Sequence, residues 1–118
     1  MSERTDGQLL GDVEEAIRRI GVYVASQRYE EFCADLKTQD SVLRNLEVIG
    51  EACRHVSEAL RAESPDVPWK SMAGMRDRLI HDYAGVNLDI VWQVVSAELP
   101  GLADRIRSLA RGRNPNAD

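Results

Sequence analysis

The stretch "SVLRNLEVIGEACRHVSEAL", Ser41 to Leu60, places apolar side chains at Val42, Leu46, Ile49, Cys53, Val56 and Leu60. Steps of three and four put them on one face of an α-helix, which turns once every 3.6 residues or so. A half-buried strand would need strict alternation instead, and this stretch has none. An apolar stripe of this length needs other apolar faces to cover it, and the flanking sequence supplies them with the same period.

Upstream, Leu10, Val13, Ile17, Ile20 and Val24 form a second stripe. Thr38 or Asp40 can cap the start of the long helix, and Pro65 stops it. The connection "RYEEFCADLKTQD", Arg28 to Asp40, has room for a short helical turn around Tyr29–Leu36. Downstream, "SPDVPW" is a turn with two prolines. A third helix is predicted from near Trp69 to about Asp82, ending before Gly85. Asn87 caps a fourth, with Asp89 in its first turn and Leu88, Val91, Trp92, Val95 and Leu99 on one face. Pro100-Gly101 then interrupts, and Leu102, Ile106 and Leu109 outline a short fifth helix. No alternating strand pattern, internal repeat or low-complexity segment occurs. The expected fold is all-α: an antiparallel up-and-down bundle of four main helices and a short fifth. One domain covers residues 1–112, and 113–118 form a frayed tail.

With 43% hydrophobic and 30% charged residues in 118, the composition is that of a globular domain with a small core. An oligomer that buries more apolar surface is in keeping with that size. The opening "MSERTDGQLL" lacks the basic and apolar regions of a signal peptide, and no apolar run is long enough to span a bilayer. The expectation is a cytoplasmic protein without membrane association. Cys33 and Cys53 have no CxxC neighbour and read as small side chains in a reducing compartment. A net charge of −5 disfavours broad coating of nucleic acid, although one basic cleft could still contact it.

The segment "MRDRLIHDYAGV", Met75 to Val86, does not fit a plain bundle. On a helical wheel Arg76 shares a seam with Trp69, Met72, Leu79 and Tyr83. A guanidinium left unpaired in a dry core costs several kcal/mol. Either a carboxylate such as Glu47 or Glu51 of a neighbouring helix meets it, or the seam faces a wet cleft that binds an anion; spacing leaves both open. In the first case His81 would cap the carbonyls of its own helix. In the second, Arg76 and His81 are a minimal kit for phosphodiester chemistry, one stabilising charge and the other moving a proton. Asp77, four residues before His81, stands at the helical spacing that would let it hold the imidazole. Tyr83 sits near the helix end, where its ring can pack and its hydroxyl can reach solvent.

Other polar residues carry weaker signals. Glu47 and Glu51 share a helix face and could steady Arg76 or Arg78, or be solvated. His55 points away from the stripe and reads as exposed. Arg44 and Arg54 read as surface charge that could extend a basic rim. Gly50 costs its helix about 1 kcal/mol relative to Ala, which implies a close helix approach. Trp69 and Trp92 read as core anchors or dimer contacts. No HxxxH, paired Asp motif or Cys/His cluster offers metal ligands, so neither a metal nor a cofactor is expected.

The run Arg76-Asp-Arg-Leu-Ile-His81-Asp-Tyr83 resembles the R-x4-H-x-Y signature of the HEPN superfamily, in its HepT-like (DUF86) group. "VLRNLEVIGEA", Val42 to Ala52, is similar to that group's second-helix segment. "VPWKSMAGMRDRLIHDY" and "DIVW" are similar to its proline-tryptophan entry, signature helix and following helix. The resemblance implies an HEPN bundle forming a homodimer with two motifs facing one cleft. It also implies a metal-independent endoribonuclease that is the toxin of a type VII-like toxin–antitoxin pair. The implied partner is an MntA-like minimal nucleotidyltransferase, which neutralises the toxin by transferring AMP to the motif tyrosine. By position Arg76 and His81 become the catalytic pair, Asp77 their orienting neighbour and Tyr83 the AMPylation site. Lys70, Arg78, Glu47 and Glu51 become possible RNA-binding or supporting residues. The alternative is a non-catalytic dimeric module whose cleft holds a nucleotide or the partner nucleotidyltransferase.

Overall fold

A computed structural model describes residues 3–81, 85–111 and 113, with His81 described by its backbone alone. Helix α1, Asp6–Val24, begins at a reciprocal cap. The Thr5 hydroxyl accepts from the Gln8 N–H at 3.1 Å, while the Gln8 side chain accepts from the Thr5 N–H at 2.9 Å. The buried side chains of α1, Leu10, Val13 and Ile20 among them, lie against Val42, Leu46 and Ile49 of α3, Leu36–His55. Between them the short α2, Tyr29–Cys33, drives Phe32 into the core.

The cap of α3 is Asp35, one turn earlier than Thr38 or Asp40. Its carboxylate accepts from the Thr38 N–H at 3.0 Å and the Thr38 hydroxyl at 2.6 Å. These donors, the hydroxyl foremost, hold its carboxyl below the usual range. At the other end α3 stops at His55, and Val56 is extended. Ser57 caps a separate α4, Glu58–Glu63. Val56 and Leu60 are both buried, so the apolar period runs through the break that the stripe alone conceals. Arg61 closes the end of α3 by donating to the Cys53 and Arg54 carbonyls.

The expected third helix is two short ones, α5 (Trp69–Ala73) and α6 (Met75–Leu79). The break falls at Gly74, whose φ and ψ of −90° and 16° leave the helical basin. The helix does not reach Asp82. Ile80 is extended, and β1 (Ile80–His81) pairs antiparallel with β2 (Gly85–Val86), Ile80 opposite Val86 and His81 opposite Gly85. Gly85 takes a left-handed φ of 84° as the chain returns, a conformation without cost only for glycine. The Asn87 N–H then donates to the Leu79 carbonyl at 2.9 Å, so backbone groups that would have continued a helix bond across the reversal.

Asn87 caps α7, Leu88–Gln93, accepting from the Ile90 N–H as expected. Pro100-Gly101 does not interrupt the helical path beyond α7. A wide π turn over Val94–Glu98 leads straight into α8, Leu99–Ala110, whose first turn holds Pro100. Pro100 has no N–H to return to the preceding turn, and that turn is the wide one, in which the Leu99 N–H reaches back five residues to the Val94 carbonyl. Leu102 and Ile106 of α8 are buried, and α8 packs against α1. Trp69 is buried with its indole donating to the Ser64 carbonyl, and Trp92 packs on Phe32 at 5.2 Å between ring centres. The architecture is all-α with one short ladder. Of the expected frayed tail only Arg113 is described, and it pairs with Glu63 at 2.8 Å; the remainder lies outside the described residues. No helix among the described residues is long and apolar enough to cross a membrane.

Candidate functional site

Gly50 determines how the motif segment sits. A Cβ built on it would stand 3.0 Å from the Met72 carbonyl oxygen and 3.5 Å from the Met75 Cβ. Glycine therefore lets α3 and α5 meet almost backbone to backbone, the close approach its sequence position implied. One turn on, Arg54 donates to the Ala73 carbonyl at 3.0 Å and fastens the end of α5 to α3. Met72, Met75 and Leu79 fill the interface beneath.

With Met75 and Leu79 inward, Arg76 is turned out. It does not occupy the apolar seam assigned by an unbroken wheel, because the Gly74 kink resets the phase. Its guanidinium is exposed at a cleft of about 460 Å³ between α1, α3 and α5–α6. Glu47, Glu51, Arg44, Arg54 and His55 line the same cleft. Arg76 forms no ion pair with Glu47 or Glu51, and neither it nor Arg44 has an ion-pair partner among the described residues. Of the two arrangements that spacing left open, the pairing with Glu47 or Glu51 is not formed, and Arg76 faces the cleft from outside the seam. Other charges there are already engaged. Arg4 grips Asp12 with two bonds of 2.7 and 2.8 Å, and Glu51 bonds the Nε2 of His55 at 2.9 Å.

Arg78 has a different setting. Its two terminal nitrogens reach Glu98 at 3.2 and 3.0 Å, and one also donates to the Ser71 hydroxyl. Glu98, not Glu47 or Glu51, is its partner, so the motif segment is tied to the π turn. Lys70 and Asp77 are exposed and lie outside the lining of the Arg76 cleft. The helical spacing expected to relate Asp77 to His81 does not hold, because α6 ends at Leu79 and the backbone of His81 belongs to a strand. The backbone of His81 is fixed by the ladder, and its side chain lies outside the described residues, as does Tyr83. His55 is a member of the cleft that the wheel set aside as merely exposed. The signal was present: Glu47, Glu51 and His55 recur every four residues on the α3 face beside the apolar stripe.

Comparison with known proteins identifies the family. The family described as "Ribonuclease HepT-like" matches residues 13–109. "Probable ribonuclease HepT" of Thermococcus cleftensis is 37% identical over 109 residues, covering 92% of this chain and 99% of that protein. "Putative RNase MJ0127" of Methanocaldococcus jannaschii is 39% identical over 102 residues, covering 86% of this chain and 84% of that one. No solved structure gives a significant match. The chain belongs to the HepT-like ribonuclease family.

Proposed function

We propose that this HepT-like chain is an endoribonuclease that cleaves RNA with Arg76 and His81 and needs no metal ion. The observation that supports it most is the Arg76 guanidinium, unpaired among the described residues at the mouth of an open cleft. A planar cation in that setting suits a phosphate, whose oxygens match its fork. RNA carries its own nucleophile, so no activated water is required. The 2′-oxygen attacks phosphorus and its proton passes to a base. The bond from phosphorus to the 5′-oxygen breaks, and that oxygen takes a proton from an acid. His81, alone or with its counterpart in a homodimer, serves these proton transfers. Arg76 stabilises the charge that develops on phosphorus.

The same reading extends to regulation. The chain is the toxin of a toxin–antitoxin pair, and an MntA-like nucleotidyltransferase silences it by attaching AMP to Tyr83. An adenylate two residues from His81 in sequence adds a phosphate and a base to the motif, and both would compete with RNA. The deciding assay incubates the chain with transfer and messenger RNA in the presence of chelator, beside the His81→Ala variant. Cleavage by the wild type alone is expected; equal cleavage by both removes His81 from the mechanism. Mass spectrometry of the chain co-expressed with the nucleotidyltransferase should add one adenylate, at Tyr83.

A further inference from the structure

We propose that the Arg76 cleft continues past Arg44 to Tyr23 as a track for the single-stranded RNA beside the scissile phosphate. The inference rests on RNA cleavage at Arg76. A second hollow of about 410 Å³ lies between the later turns of α1 and the first half of α3. It shares Arg44 and Val48 with the Arg76 cleft, so the two join along one face of α3. From Arg44 to His55 that face runs about 16 Å at a rise of about 1.5 Å per residue. Arg44 stands at the junction, exposed and without an ion pair among the described residues. At the far end Tyr23 presents its ring, 36% exposed, next to Arg19 one turn before it.

A cation followed by an exposed aromatic ring is what a single strand requires, one phosphate on the guanidinium and the next base on the ring face. Duplex RNA is a poorer fit. Asp40 and Glu47 lie along the same groove and would repel the denser charge of two strands. Arg19 is held by Glu15 at 2.9 Å, which leaves Arg44 as the phosphate contact of this half.

The test uses the His81→Ala chain, which does not consume its ligand, and a labelled RNA heptanucleotide followed by fluorescence anisotropy. Adding Tyr23→Ala should raise the Kd by about 5- to 150-fold, in line with the loss of one stacked base, and Tyr23→Phe should restore it. Adding Arg44→Ala should make the plot of log affinity against log salt shallower by about 0.7, one phosphate of a single strand. With His81 intact, both changes should lower kcat/KM for the heptamer far more than for a dinucleotide. Affinity within twofold of the parent for both variants overturns the track, as does a His81→Ala chain that does not bind the heptamer. Loss of affinity seen only when light scattering shows that Tyr23→Ala has changed the assembly also overturns it, and assigns that face to a second copy. A wild type that cuts neither substrate refutes cleavage, while the anisotropy still decides the track.

Discussion

Arg76 and Arg78 are two residues apart on α6, and their surroundings separate their roles. Arg78 is half-buried and committed to Glu98, whereas Arg76 is exposed and uncommitted among the described residues. Arg76→Ala should therefore leave stability within about 0.5 kcal/mol of wild type, as for other exposed positions, while RNA cleavage falls by orders of magnitude. Urea melts and a cleavage assay on one preparation check both halves. Cys53 is the opposite case, a fully buried thiol that burial pushes up to about 12. An unfolded thiol titrates near 8.5 or so. The folded state thus keeps a proton that the unfolded chain gives up. Its share of stability is intact below about pH 8.5 and declines as pH rises from there toward 12. Urea midpoints at pH 7 and pH 10 should show the advantage of wild type over Cys53→Ala shrinking at the higher pH.

At the level of elements, contacts between backbones matter more than propensity. Gly50→Val would force a branched side chain against the Met72 carbonyl, and a loss of about 1–3 kcal/mol is expected by chemical denaturation. Asn87→Ala removes the acceptor for the Ile90 N–H and should cost about 1 kcal/mol. The sequence made α1, the body of α3 and the Asn87 cap legible, because each rests on a local period or a local hydrogen bond. The α3–α4 break was hidden by Val56 and Leu60, which continue the stripe across Ser57. The hairpin was hidden for a related reason: Leu79 and Tyr83 extend a helical period, while Ile80 is extended and Gly85 left-handed only because the chain turns back on itself. Arg76 stands out in the sequence as foreign to a bundle seam, yet a single unbroken wheel cannot show that it turns outward, because the helix breaks at Gly74. His55 was passed over because a wheel drawn for one helix cannot show which exposed residues border a cleft built by three.

For the molecule as a whole, the Arg78–Glu98 bridge links the motif segment to the C-terminal third of the chain. Both side chains are about a third exposed, so the pair is partly screened. A double-mutant cycle of Arg78→Ala and Glu98→Ala should give a coupling of roughly 0.5–1 kcal/mol that shrinks in high salt. What fastens α5 to α3 is of another kind: Arg54 grips a carbonyl, and Gly50 admits a carbonyl. Peptide oxygens are the same whatever residue carries them. Substitution at Arg44, Glu47, Glu51 or Arg76 can therefore remodel what the opening welcomes without loosening its hinge to the scaffold. Descendants of this chain are free to explore new ligands at that rim while the frame beneath stands still.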